Sequence, residues 1–376
     1  MRRISSTLCA VVLALIALGI VMLASTSSVR ATTAFGNPLY FFWRQLIWLF
    51  LSLLFGFVLY RFDYHWWKKS SLPMVIVSVL LLVLVLKIGV TVGGSRRWLR
   101  FGVLSFQPSE LAKLSVVVAL TSWMTRVGHR VRDFKEGLLI PGLGLGVVLL
   151  LLFLEPDYGT TILVGVVGMI IMFAAGTRLS YLLVTGALGA SVLVIAIMQN
   201  TLRMNRVLAF LMPDKYPDVA YHLQQSKIAF HLGGLFGTGL GNSMQKQLYL
   251  PEAHTDFILA IIGEELGLIA TLLVVALFLG LIVCGMIISF RAPDSFGRLL
   301  GFGLTVMIGL QAAINIGVVT GSLPTKGLPL PFISYGGSSL LISVACVSIL
   351  LNIAQHCTEE RFDEHASPVK DKAHRF

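Results

Sequence analysis

Apolar residues run along this chain in long blocks, not in the alternation of a half-buried strand or the narrow stripe of a surface helix. Blocks long enough to cross a bilayer, about 20 residues each, lie near 8–25, 39–60, 72–89, 107–124, 137–154, 159–175, 180–198, 257–289, 298–320 and 333–354. They predict an all-α polytopic membrane protein of about ten transmembrane helices, read as one integral membrane domain over 1–376. The first block follows Arg2 and Arg3 as a signal peptide would. It is longer than the roughly 7–15 apolar residues of such a leader, so it is expected to stay as a helix. The block at 257–289 is long enough to tilt or to project past the bilayer.

An even number of spans puts both termini on one side. Basic residues choose that side, because short basic loops stay in the cytoplasm. Alternate connections carry Arg61, Lys68 and Lys69, then Arg126, Arg130, Arg132 and Lys135, then Arg178, then Arg291 and Arg298. With Arg2, Arg3 and the tail residues Arg361, Lys370, Lys372 and Arg375, they predict cytoplasmic termini and a cytoplasmic tail over about 355–376. The outer connections also hold cations: Arg96, Arg97 and Arg100; Arg203, Arg206, Lys215, Lys227 and Lys246; and Lys326. Cations there run against the insertion rule, so an anionic ligand or lipid headgroup is expected on the outer side. The large outer loop between the seventh and eighth helices, about 199–256, exceeds a simple connector. Its stretch Tyr221–Phe230 predicts a short interfacial helix, followed by Gly233, Gly234, Gly237, Gly239 and Gly241.

Composition agrees. The chain is 56% hydrophobic and 12% charged, with a formal charge of +11; soluble domains carry about 25% charged residues. The cations are scattered between apolar spans, which argues against nucleic acid as a partner. Cys9, Cys284, Cys346 and Cys357 have no metal-ligand spacing and read as small packing residues.

Five constellations carry candidate chemistry. In Pro251–Asp256, Asp256 sits at the outer mouth of the span that begins at Phe257. There it serves either as a general base or as a helix cap. Glu252, His254 and Asp256 also have the alternate spacing of a weak divalent-ion site. In Gln107–Lys113, Glu110 and Lys113 are three residues apart and share a helix face inside an apolar span. Intramembrane charges of this kind are functional candidates or a structural lock between helices. In Gly93–Leu99, Arg96 and Arg97 suit a phosphate, and Trp98 either anchors at the interface or stacks on a sugar. In Glu155–Gly159, Asp157 reads as a helix cap. Pro324–Ser339 predicts irregular backbone near the membrane, tolerated only inside protein or along a cavity. Glu264 and Glu265 are adjacent, so they cannot both face one cavity. Ser334 lacks the frame of a hydrolase nucleophile, and no P-loop or H-E-x-x-H motif occurs. The residues alone point to an anionic amphiphile at the outer leaflet, handled by an enzyme or by a transporter.

The runs RRW at 96–98, QPSELAK at 107–113, EPDYGT at 155–160, LPEAHTDF at 250–257, GEELG at 263–267 and LPTKGLPLPFISYGGSS at 323–339 resemble the SEDS family. These are polytopic glycosyltransferases that polymerise peptidoglycan. The similarity covers roughly Arg44 to Asn352, and the forms at 323–327 and 252–267 look most like the family's division members. The resemblance implies lipid II as substrate and release of undecaprenyl pyrophosphate. It implies Asp256 as the catalytic general base, Glu110 and Lys113 as a supporting cavity pair, and Arg44, Arg96, Arg97, Trp98, Asp157, Arg203 and Lys326 as substrate-binding residues. It also implies a class B penicillin-binding protein and division-complex proteins as partners, at the septum of the cytoplasmic membrane. A divalent cation, Mg or Mn, is an expectation of the resemblance with no cage visible in the sequence. A lipid II flippase is the alternative function.

Overall fold

A computed structural model describes residues 1–92, 95–102, 104–247 and 249–366. Gly93 and Gly94 of the RRW run, and the tail cations Lys370, Lys372 and Arg375, lie outside the described residues. Each of the ten predicted blocks is occupied by a helix. They are α1 (Arg2–Phe35), α2 (Tyr40–Arg61), α3 (His65–Ile88), α4 (Pro108–Val127), α5 (Ile140–Leu154), α6 (Tyr158–Ala174), α7 (Leu179–Met198), α10 (Ile258–Phe290), α11 (Ser295–Val319) and α12 (Gly337–Ala366). Among the described residues, eight helices are long and apolar enough to cross a membrane by themselves. The other two are explained locally. Helix α6 has only 17 residues, and α4 carries Glu110, Lys113 and Arg126 within 20.

The charges on α4 mark its place. It starts where the extended Gln107 hands over to Pro108 at the first helical position, a proline site that needs no backbone donor. It is buried almost all round and packs against α3, α5, α6, α11 and α12. Helices α2 and α12 form another close pair, with the Trp48 ring stacked against the bare backbone of Gly337. Small residues at helix contacts allow this approach. Consecutive spans alternate in direction, and Met1 lies near Arg291 at the start of the α10–α11 turn. Met1 and the later part of α12, where His356 lies near Asp63, are therefore at one end of the bundle, as the charge pattern predicts.

The connections at the other end are more structured than expected. Residues 90–106 form a three-stranded antiparallel sheet of β1 (Val90–Val92), β2 (Ser95–Phe101) and β3 (Leu104–Phe106). Trp98 pairs with Val90, Arg96 with Thr91, and Arg100 with Ser105. The 199–256 loop contains α8 (Thr201–Leu211) and α9 (Pro217–Gly233), so the predicted interfacial helix exists and is longer.

Helix α10, whose apolar run is long enough to tilt or to project past the bilayer, is kinked. It breaks at Gly267, with φ 80° and ψ −176°. A side chain there would be strained, and a Cβ would meet Leu235 O at 2.4 Å. The break is clasped by the loop after α9. Leu268 N–H donates to Gly234 O (3.0 Å), while Thr238 and Gly239 N–H donate to the carbonyls of Glu264 (2.9 Å) and Glu265 (3.0 Å).

Candidate active site

Asp256 lies in a turn built on Glu252. The Glu252 carbonyl accepts from Thr255 N–H (3.1 Å) and Phe257 N–H (3.3 Å), which leads the chain into α10. The segment 323–336 wraps over this turn. Tyr335 N–H donates to His254 O (3.0 Å), and Ser334 Oγ donates to Thr255 O (2.5 Å). From α11, the Asn315 amide donates to Asp256 O (2.9 Å) and Leu328 O (2.7 Å). From Leu328 to Ser334 this irregular backbone is packed inside protein, the condition under which it is tolerated at membrane depth. Asp256 keeps partial solvent access. Burial pushes its carboxyl up to about 7, the Glu252 and Asp157 charges add to the rise, and Arg97 opposes it.

The sheet and the start of α6 supply the charges facing that turn. Asp157 caps α6, accepting from Thr160 N–H (3.3 Å) and Thr160 Oγ1 (3.0 Å). It does more than cap: Gln107 Nε2 donates to it (3.3 Å), and Arg97 Nη1 lies 3.7 Å from its carboxylate. Arg97 also donates to Pro156 O (2.5 Å) and Glu155 O (3.4 Å). Successive residues of a strand point to opposite faces, so Arg96 is exposed while Arg97 turns towards α6. The two adjacent arginines do not form one clamp.

Helix α8 brings Arg203 over the Tyr158 ring at 3.9 Å, beside Asp157. Arg44 Nη1 donates to Tyr40 OH (2.8 Å), and its charge reaches Tyr335. Trp98 is half-buried. Burial holds Lys326 below the usual lysine range, and its neighbour Gly327 lies against Asp256. Glu110 and Lys113 form a buried ion pair at 2.9 Å. Lys113 Nζ also donates to Gln311 Oε1 (2.7 Å), and Gln311 Nε2 donates to Pro329 O (2.9 Å). The pair is therefore tied through α11 to the segment that covers Asp256.

The adjacent acids of α10 separate as their positions require. Glu264 accepts from Ser243 Oγ and from Met244 N–H (2.8 Å). Glu265 takes Ser25 Oγ (2.7 Å) and Lys246 Nζ (2.9 Å). Both fasten the outer loop.

Two contributions escape the sequence reading. Glu155 is fully buried, and among the described residues neither carboxyl oxygen has a hydrogen-bond partner. Burial and the neighbouring Asp157 push it up to about 8, against the pull of Arg97. In the sequence it is only part of a tight turn. Gln311 and Asn315 are the second contribution. Their signal was present, since polar residues four apart in an apolar span share a face.

The divalent-ion reading of Glu252, His254 and Asp256 does not fit. Glu252 turns its carboxylate to Arg30 Nη1 (3.0 Å) and Thr255 Oγ1 (3.0 Å). His254 packs its ring between Phe41 and Tyr335. Among the described residues, no three His, Cys, Asp or Glu side chains come together to hold a metal ion.

The model of the cell cycle protein family named for FtsW, RodA and SpoVE matches residues 5–359. Proteins called probable peptidoglycan glycosyltransferase FtsW are similar to the chain along most of its length. The one from Trichlorobacter lovleyi is 43% identical, covering 91% of each chain. The one from Coxiella burnetii is 44% identical, covering 91% of this chain and 94% of its own. Among solved structures, Thermus thermophilus rod shape determining protein RodA matches with a TM-score of 0.69 and 28% identity, over 93% of this chain and 95% of that one. A structure described as showing structural coordination of polymerization and crosslinking by a peptidoglycan synthase complex matches with a TM-score of 0.75 and 29% identity, over 93% and 97%. The chain, with its Asp256 turn, capped α6 and buried Glu110–Lys113 pair, belongs to the SEDS family of FtsW, RodA and SpoVE.

Proposed function

We infer that this chain is a peptidoglycan glycosyltransferase that polymerises lipid II, most like the FtsW members and so acting in septal wall synthesis. The observation that carries the chemistry is Asp256. Burial pushes its carboxyl up to about 7, with the Glu252 and Asp157 charges adding to the rise and Arg97 opposing it, at one end of the bundle. A general base works best with a pKa close to the working pH.

In the proposed step, the acceptor's 4-hydroxyl oxygen attacks the donor's anomeric carbon. Asp256 takes the hydroxyl proton as the new C–O bond forms. The bond from the anomeric carbon to the pyrophosphate oxygen breaks, and undecaprenyl pyrophosphate leaves with the electron pair. Its negative charge needs preorganised cations. Lys326 is next to Gly327, which lies against Asp256, Arg203 lies over Tyr158 beside the α6 cap, and Arg97 is held by Asp157 and orders the outer site. Glu110, Lys113 and Gln311 brace the covering segment from below. The proposed step is not routed through a metal ion.

By the basic-loop pattern, the Asp256 end faces away from the cytoplasm, at the outer surface of the cytoplasmic membrane and, for an FtsW-like chain, at the septum. The related synthase complex couples polymerization to crosslinking. This supports a class B penicillin-binding protein as partner, with other division proteins around it.

The test is a reconstituted polymerisation assay with lipid II and a cognate class B penicillin-binding protein. Wild type is expected to give glycan strands and Asp256→Asn none, with both folded. Strands from Asp256→Asn at the wild-type rate would remove the base assignment. No strands from either, with labelled lipid II crossing the same proteoliposomes, would favour a flippase.

A further inference from the structure

Glu252 is in the left-handed backbone region, with φ 56°. A non-glycine residue rarely adopts that conformation, and where it does the surroundings enforce it. Here they are identifiable. The Glu252 carbonyl organises the turn into α10, and its carboxylate is bridged to Arg30 by Nη1 at 3.0 Å and to Thr255 Oγ1 at 3.0 Å. Arg30 belongs to α1, which continues well past its apolar block. A cavity of about 210 Å³ lies beside this contact, lined in part by Thr26, Arg30, Lys246, Glu252 and His254. The pair is thus open to solvent, with the two side chains 44% and 45% exposed. An ion pair so exposed adds little to folding. Its charge nonetheless lies four residues from the base.

Resting on the reading of Asp256 as the base, we propose that Glu252 is a positioning residue of the polymerase. It shapes the Asp256 turn and sets the electrostatic field there, and Arg30 of α1 controls how much of its negative charge Asp256 feels.

The groups around both carboxylates give the sign. Asp256 faces Glu252 from its own turn, Arg97 of β2 and Asp157 at the start of α6. Glu252 faces Arg30 and His254, and His222 of α9. Glu252 raises the proton affinity of Asp256, and Arg97 lowers it. Arg30 draws Glu252 below the usual carboxylate range, keeping it charged, while its own positive charge partly masks that field. Removing Glu252's charge makes Asp256 a weaker base that ionises at lower pH. Removing Arg30 does the reverse.

The experiment is the polymerisation rate of the full chain from pH 5 to 9, with lipid II and the partner transpeptidase. Wild type, Glu252→Gln, Glu252→Asp, Arg30→Gln and Asp256→Asn are compared. The wild-type acid limb is expected near pH 7. Glu252→Gln should move it down by several tenths of a pH unit, a size set by a unit charge acting through a partly hydrated protein. Arg30→Gln should move it up, and Glu252→Asp should return it close to wild type. A Glu252→Gln variant that loses rate equally at every pH, with its limb in place, overturns the proposal and leaves a structural role. If Glu252→Gln does not fold, Arg30→Gln decides: an upward shift supports the proposal, and an unmoved limb overturns it. Activity in Asp256→Asn would instead remove the base reading, and that result is separate from either limb.

Discussion

Gly327 approaches Asp256 so closely that a Cβ on Gly327 would lie 2.8 Å from Asp256 Oδ2. The glycine is exposed, so this contact concerns the carboxylate and not the core. Gly327→Ala is expected to push the Asp256 side chain aside and to lower lipid II polymerisation by roughly tenfold or more, since small misplacements of a catalytic group are costly. Thermal unfolding in detergent should change little. A wild-type rate in Gly327→Ala would mean that Asp256 has room to move without loss.

Glu110 and Lys113 are 3% and 2% exposed. Neutralising one leaves the other as an unpaired buried charge, which costs about 3–5 kcal/mol. Glu110→Gln and Lys113→Met should each lower unfolding stability by that order. The double variant should recover part of it, because the charge left behind is the penalty. Its polymerisation should stay low, because Gln311 loses its lysine donor and the hold on Pro329 loosens. Equal losses for single and double variants would show that the pair does not act as a unit.

The carboxyl of Glu155 should make stability depend on pH. Burial raises its proton affinity in the folded chain to about 8, while an unfolded glutamate titrates near 4.3. Between those values the folded state binds more protons than the unfolded one, so stability falls as pH rises, by up to about 1.4 kcal/mol per pH unit. Glu155→Gln keeps the shape of the neutral form and removes the titration. Denaturation midpoints measured from pH 5 to 8 should be flatter in the variant than in wild type, with the variant more stable at the alkaline end. Parallel curves would contradict the assignment of a neutral Glu155.

Arg97 spans Pro156, Glu155 and Asp157 with one guanidinium. A lysine offers a point charge without that fork. Arg97→Lys is therefore expected to keep the net charge but to reduce polymerisation by about tenfold, and Arg97→Gln should also raise the acid limb of the pH profile. An unchanged rate in Arg97→Lys would show that charge alone is what the site needs.

The spans were legible because an apolar block of bilayer length has few other uses, and α4 was legible because its charges sit inside such a block. What the sequence hid was set by long-range contact. Arg30 follows the apolar run of α1, and only the fold places it opposite Glu252, 222 residues away. The sheet at 90–106 has two three-residue strands, too short to show alternation, so nothing in the sequence separated Arg97 from Arg96. The break at Gly267 lies inside one long apolar block, just after Glu264 and Glu265, and depends on the loop of α9. Glu155 looked like turn punctuation because its isolation is a property of its neighbours. Asp256 and the Glu110–Lys113 pair stood out because a carboxylate at a helix mouth and charges in an apolar span are each unusual by themselves.

The Gly267 break also divides labour along α10. The nine residues ahead of it are laced to the outer loop by backbone hydrogen bonds and by Glu264 and Glu265. The piece after the break is tied to the same loop at its first turn, where Leu268 and Ile269 N–H donate to Gly234 O (3.0 Å) and Leu235 O (3.4 Å). One loop therefore clamps both pieces across the bend at Gly267, which fixes the angle between them. The Asp256 turn at the head of α10 takes its orientation from that clamp, so the loop after α9 aims the base without touching it.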